Sequence, residues 1–232
     1  MTIIAIAGTG TGIGKSHVAV ALLMAMKLHA RVVGWKPVES GVTGSEGEDE
    51  ARLRDAGSVA GPPTLRLREA LSPHLAARRE NRILDARAFA DTAAQLATTH
   101  DAVVVEVAGG LFSPLTDEMT NATWLRTLKK MPRIVLVAPD RLGVLHDTYA
   151  TVRAAAAEGL TIDTVVLSAP ETPDASTGTN AGELVRHISA YVYHTHIITA
   201  PRKDPKDLAA EPAIVALAAR VLPPRSATSL SS

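Results

Sequence analysis

The run Gly8-Thr9-Gly10-Thr11-Gly12-Ile13-Gly14-Lys15-Ser16 is the segment of this sequence best equipped for chemistry. Its glycines let backbone N–H groups turn inward onto phosphate oxygens, Lys15 carries a cation toward a terminal phosphate, and the Ser16 hydroxyl is a hard-oxygen ligand for Mg2+. Counting back from Gly14, the ordinary phosphate-loop pattern has its first glycine at position 9, which is Thr9 here; the glycine lies one residue earlier, at Gly8, so the loop is one residue longer. Two more residues stand out by position. Lys36 follows a short apolar run and precedes Pro37, and Glu106 closes the apolar run Ala102 to Val105. A carboxylate in that setting is costly to bury unless it faces a cation or an open site, which assigns Glu106 to Mg2+.

These residues need a scaffold that delivers them to one place. Short, nearly continuous apolar runs recur at Ile3 to Ala7, Arg31 to Trp35, Ala102 to Glu106, Arg133 to Ala138, Thr164 to Leu167 and His196 to Thr199, as strands covered on both faces require. Helical periodicity fills Lys15 to Leu28, Ala86 to Thr99, Asn121 to Lys130, Leu145 to Glu158, Gly182 to Tyr191 and Ala213 to Val221. The alternation predicts an α/β fold, a mostly parallel sheet with helices on both faces, of the P-loop NTPase type with a deviant, longer loop. Residues 1–222 are expected to form one domain and 223–232 a Pro/Ser-rich tail that does not pack, while Gly41 to Gly47 reads as a mobile loop. Each motif then falls at a strand's carboxyl end, where open α/β sheets bind ligands.

Composition narrows the function further. With 24 basic and 24 acidic side chains the net charge is zero, so no electrostatic footprint argues for a nucleic-acid or membrane partner. The absence of Cys excludes disulfides, thiolate metal sites and cysteine nucleophiles. Gly8 to Gly14 interrupt the first apolar run, and no Lys or Arg precedes it, so neither a signal peptide nor a membrane span is expected and the protein reads as cytoplasmic. Two Trp, three Tyr and two Phe leave the core to Ala, Val, Leu and Ile. The eight histidines show no metal-binding spacing; His194 and His196 share a strand face without a carboxylate partner.

The longer loop resembles that of the dethiobiotin synthetase family, which reads Gly-Thr-Asp-Thr-x-Val-Gly-Lys-Thr. Further segments follow in order: Lys36-Pro37-Val38-Glu39-Ser40-Gly41 is similar to Lys-Pro-Val-x-Ser-Gly, Ser72-Pro73-His74 to the family's Ser-Pro-His, and Glu106-Val107-Ala108-Gly109-Gly110 through Pro114-Leu115 to Glu-Gly-Ala-Gly-Gly-x-x-x-Pro-Leu, with Leu142-Gly143 beyond. The resemblance covers roughly residues 1–200. It implies an ATP-dependent cyclo-ligase of biotin biosynthesis, in which a diamine such as 7,8-diaminononanoate takes up CO2, the carbamate is phosphorylated, and the second amine closes a cyclic urea. It further implies Lys15, Lys36, Ser40 and Thr11 as catalytic residues and Ser16, Asp49 and Glu106 as Mg2+ ligands, with Glu50 an alternative to Asp49. Gly8, Thr9, Gly12, Ile13, Gly14, Lys15, Ser16, Ala169 and Pro201 would bind the nucleotide, in a homodimer with the substrate site at its interface.

Four positions depart from the family. Gly10 stands where the family has Asp, and Val107 where it has Gly. Ser168-Ala169-Pro170 replaces the segment carrying an adenine-reading Asn, which leaves the base of the nucleoside triphosphate open. His146-Asp147 replaces an Asn-His pair that holds the substrate's carboxylate, which leaves the diamine open. Two other functions are compatible with the phosphate loop: a nonenzymatic nucleotide-binding paralogue, and a partition-type P-loop ATPase, whose signature lysine would fall at Gly10.

Overall fold

The computed structural model describes residues 1–188 and 195–222; the expected tail 223–232, the end of the helix expected over 182–191, and His194 lie outside them. The chain runs β1 (Thr2–Gly8), α1 (Lys15–Met26), β2 (Val32–Trp35), β3 (Val38–Ser40), α2 (Glu48–Ala56), β4 (Leu65–Leu67), α3 (Pro73–Arg79), α4 (Ala86–Thr99), β5 (Ala102–Glu106), α5 (Asn121–Arg126), β6 (Arg133–Pro139), α6 (Val144–Ala157), β7 (Ile162–Ser168), α7 (Asn180–Ile188), β8 (His196–Ala200), α8 (Pro205–Leu208) and α9 (Pro212–Val221). Six strands form one sheet in the order β2-β5-β1-β6-β7-β8, every pairing parallel. This is an α/β P-loop NTPase fold.

Alternation along the strands divides the core into two layers. In β1, Ile3, Ala5 and Ala7 join the layer that holds α4, α5 and α6, whereas Ile4 and Ile6 face the layer built with α1, α2 and α9. Because α1 is enclosed by the sheet, α2, α8 and α9, it is apolar around most of its circumference rather than along one stripe. Gly34 lets α1 and α2 approach the sheet: a Cβ there would lie 2.5 Å from Leu23 Cδ1 and 3.0 Å from the Leu53 carbonyl oxygen. On the other side Trp35, Phe89 and Trp124 stack edge to face, with centroids 6.2 and 6.4 Å apart, and tie β2 to α4 and α5.

The segment after β2 differs from expectation. Where no strand or helix was expected between Trp35 and Ala86, β3 and β4 pair as a separate two-stranded parallel sheet, with α2 between them and α3 after them. Asp49, just past the loop expected over Gly41 to Gly47, lies in the first turn of α2. The half-buried carboxylate of Asp163 in β7 ties three elements together, accepting from Arg133 Nη1 of β6 at 2.9 Å and Arg220 Nε of α9 at 3.0 Å. Burial pushes its carboxyl up, but the hydrogen bonds from Arg220 and Thr164 and the nearby guanidinium charges outweigh this and leave it below the usual carboxylate range. A depressed folded-state pKa contributes stability that is fully present above the unfolded value near ~3.9 and is lost as pH falls through the folded value. Asp163→Asn should therefore cost about 1 kcal/mol at pH 7 and flatten the acid limb of a urea-stability profile below about pH 4. An unchanged acid limb would contradict this.

Candidate active site at the carboxyl edge of the sheet

The loop between β1 and α1 opens onto a cleft of about 740 Å3. Gly12 and Gly14 take left-handed backbone conformations, with φ of 69° and 91°, and a Cβ on Gly14 would stand 2.6 Å from Ser168 Oγ. No side chain caps α1, so its first N–H groups remain available to an anion. Thr11, Gly12, Ile13, Gly14, Lys15, Ser16, Lys36, Ser40, Asp49 and Glu106 all line this one cleft. Gly8 and Thr9 do not line it; Gly8 ends β1 and accepts from Leu111 N at 2.8 Å, and Thr9, the next residue, donates its N–H to the Val137 carbonyl at 3.1 Å.

A chain of charged contacts crosses the cleft. Ser16 Oγ donates to Glu106 Oε1 at 2.9 Å, Lys36 Nζ donates to the same oxygen at 2.9 Å, and Lys36 Nζ also pairs with Asp49 Oδ2. Glu106 is fully buried, and its Oε2 has no hydrogen-bond partner. Burial pushes the Glu106 carboxyl up, and the Lys36 ammonium offsets only part of that effect. Burial pulls Lys36 down, but Glu106 and then Asp49 outweigh it and hold the ammonium above the usual lysine range. For Asp49 burial acts upward, and the charge and hydrogen bond of Lys36 prevail to lower it. Lys15 is lowered by burial, which Glu106 opposes; its Nζ donates to the Gly10 carbonyl at 2.8 Å.

Ser16, Asp49 and Glu106 make an all-oxygen set, and the unpartnered Glu106 Oε2 is a free lone-pair donor within it. Such a set suits Mg2+, which takes few protein ligands and completes its shell with water and phosphate. Among the described residues no group of three or more His, Asp or Glu side chains could hold a metal, so a site here would use two carboxylates with the Ser16 hydroxyl. Glu50 faces elsewhere: it pairs with Arg66 at 2.6 and 2.8 Å and accepts from Thr64 N. Glu39, by contrast, matters and carried no signal in the sequence. Its two carboxylate oxygens accept from Asp49 N and Glu50 N at 3.0 Å each, fixing the start of α2 and hence Asp49. Asn121 is a second such residue: its amide donates to the Ala108 and Gly110 carbonyls at 2.8 Å and shapes the loop after Glu106.

Ala169 and Pro201 do not line this cleft; they follow β7 and β8, on the far side of the loop. Ala169 N is consumed by the Ala200 carbonyl at 2.9 Å. His146 and Asp147 are exposed in the first turn of α6, also away from the cleft, and His74 bonds Ser72 Oγ through Nδ1 at 3.0 Å. No helix among the described residues is long and apolar enough to cross a membrane.

Residues 2–203 match a family described as an AAA domain. The chain is 38% identical to the ATP-dependent dethiobiotin synthetase BioD of Anaeromyxobacter sp. (strain Fw109-5), covering 78% of this chain and 83% of that protein. It is 35% identical to the BioD of Methylobacterium nodulans, over 83% and 92% of the two chains. Among solved structures, the septum site-determining protein MinD of Pyrococcus horikoshii, complexed with Mg-ADP, superposes with a TM-score of 0.58 at 15% identity over 95% of each chain. A ParA family ATPase from Chlorobium tepidum gives 0.56 at 13%, over 94% of this chain and 97% of its own. The chain belongs to this AAA-domain family of ATP-binding P-loop proteins, is related to the dethiobiotin synthetases, and shares its fold with the ParA and MinD ATPases.

Proposed function

We propose that the chain is an ATP-dependent cyclo-ligase that carboxylates a diamine to a cyclic urea. The observation that carries this reading is Lys36: a second buried cation shares the phosphate-loop cleft and is held there by two carboxylates. The names of the relatives in the same family support it. In the reaction one amine adds to CO2 and loses a proton, giving a carbamate. A carbamate oxygen then bonds to the terminal phosphorus of ATP, the bond to the bridging oxygen breaks, and ADP leaves. Attack of the second amine on the carbonyl carbon expels inorganic phosphate and closes the ring.

Two anions must approach in the phosphorylation step, so positioning and charge neutralisation dominate. Lys15 and the α1 N-terminus take the nucleotide's phosphates, while Lys36 draws the carbamate toward them, with Thr11 and Ser40 as hydroxyl donors beside it. The Ser40 Oγ, buried without a partner, has a hydrogen bond to give. Mg2+, held by Ser16, Asp49 and Glu106, would neutralise phosphate charge when bound. A homodimer would bring the partner's α6 N-terminus to the diamine. Diamine and bicarbonate should together stimulate phosphate release from ATP; a rate independent of both would exclude the reading.

A partition-type ATPase is the second reading, favoured by the fold likeness to ParA and MinD. Gly10 stands where the signature lysine would fall, which counts against it; ATP-dependent dimerisation without diamine stimulation is the result that would select it.

The base of the nucleotide should be read weakly. Ala169 has no amide side chain, its N–H is already bonded, and Pro170 has none to offer. Loss of a bidentate contact removes about 1–3 kcal/mol of discrimination. Competition titrations with ATP, GTP, CTP and UTP should give affinities within ~100-fold of each other, which is about 2.7 kcal/mol. A stronger preference for ATP would show that another group reads adenine.

A further inference from the structure

Arg52 lies one helical turn beyond Asp49 on α2, on the same face, and lines the same cleft. Among the described residues it is the cation of the cleft that is held most loosely, by an ion pair with Glu48 and the nearby charge of Asp49. Lys36 is bound by two carboxylates and Lys15 by a loop carbonyl, whereas Arg52 makes no hydrogen bond with any described residue. Its nearest carboxylate is Glu48 Oε1 at 3.8 Å, beyond hydrogen-bonding reach, on a side chain that is 86% exposed. The Arg52 side chain itself is 35% exposed, so its fork can turn toward a ligand without leaving a buried partner unpaired.

The position of α2 says which part of a ligand it meets. The inner phosphates belong to the backbone donors of the loop and the α1 N-terminus. The contacts Ser16–Glu106–Lys36–Asp49 then lead across the cleft, away from those donors and onto α2. A phosphate chain lying along that path ends nearest α2 with its terminal phosphoryl group. A planar guanidinium suits that group, because two parallel N–H donors match two phosphoryl oxygens. We infer that Arg52 contacts the terminal phosphoryl group of the bound nucleotide and thereby distinguishes a nucleoside triphosphate from a diphosphate. The inference rests on the phosphate-loop reading of the cleft and is independent of what receives the phosphoryl group.

The test measures Mg-ATP and Mg-ADP affinities of the full chain by titration calorimetry, for wild type, Arg52→Ala and Arg52→Lys. Thermal melts should show both variants as stable as wild type, since Arg52 has only the loose Glu48 pair to lose. Arg52→Ala should weaken ATP binding by about 10–100-fold, as loss of a charge-assisted hydrogen bond does, while ADP binding changes less than about threefold. Arg52→Lys should fall between, keeping the charge but not the fork. ATP and ADP affinities that stay unchanged, or that fall equally, would overturn the inference while leaving the phosphate loop intact. A wild-type chain that binds neither nucleotide would overturn both.

Discussion

Lys36→Ala is expected to lower diamine-stimulated phosphate release by at least about 100-fold, and saturating ATP is not expected to restore it. Removing one preorganised group aimed at charge that develops in a transition state costs about 10²–10³ in rate, and Lys36 is the cation of the second strand end in a cleft where two anions must meet. The substitution also has a stability cost. Lys36 is the partner of Glu106, which is completely buried, and removing one member of a buried ion pair costs about 3–5 kcal/mol unless the other neutralises. Burial already pushes the Glu106 carboxyl up, so proton uptake should relieve part of that cost. The double variant Lys36→Ala/Glu106→Gln separates the two effects: it should melt closer to wild type than Lys36→Ala does, yet remain inactive. Near wild-type turnover in either variant would remove Lys36 from the reaction. Lys15→Ala should be similarly inactive, through loss of the loop cation.

Glu106→Gln alone should raise the Mg2+ concentration needed for half-maximal phosphate release by at least about tenfold, a shift that even outer partners of metal ligands produce when changed. Glutamine keeps an oxygen for Ser16 Oγ and Lys36 Nζ, so the contacts at Oε1 survive. What it loses is the charge and the second lone-pair oxygen, the atom that the folded chain leaves buried and unpartnered. The amide is nearly isosteric and Lys36 keeps Asp49 as a counter-charge, so the melting temperature should fall less than in Lys36→Ala, and the Mg2+ titration carries the result. An unchanged titration would assign Glu106 to holding Lys36 alone.

How much of this was legible in the sequence follows from what each element buries. The strands of the main sheet are covered on both faces, so β1, β5 and β6 read as continuous apolar runs, and α4 was delimited at both ends by its own periodicity. The region around α2 was opaque for the converse reason. Its sequence Glu-Asp-Glu-Ala-Arg-Leu-Arg-Asp-Ala buries only Leu53 and Ala56, which leaves a charged run without a stripe, and β3 and β4 are three residues each. What organises it is tertiary: Glu39 bonds two backbone N–H groups at the start of α2, and a Cβ on Gly47 would collide with that carboxylate. The choice between Asp49 and Glu50, open in an acidic run, turns on that helix. Once α2 forms, one carboxylate faces Lys36 and its neighbour faces Arg66. The motif residues were visible because phosphate and magnesium chemistry restrict residue type at fixed spacing, whereas Arg52 belongs to no motif and is revealed only by the cleft it lines.

The proposed cyclo-ligase reaction couples ATP cleavage in this cleft to carbon fixation on a diamine. The most direct measurement incubates the full chain with ATP, Mg2+, 13C-bicarbonate and 7,8-diaminononanoate, and follows the labelled carbon by NMR beside the phosphate released. A new ureido carbon resonance should grow in step with phosphate, one for one, and be absent from Lys36→Ala. Phosphate released at the same rate without diamine, with no labelled urea formed, would contradict it.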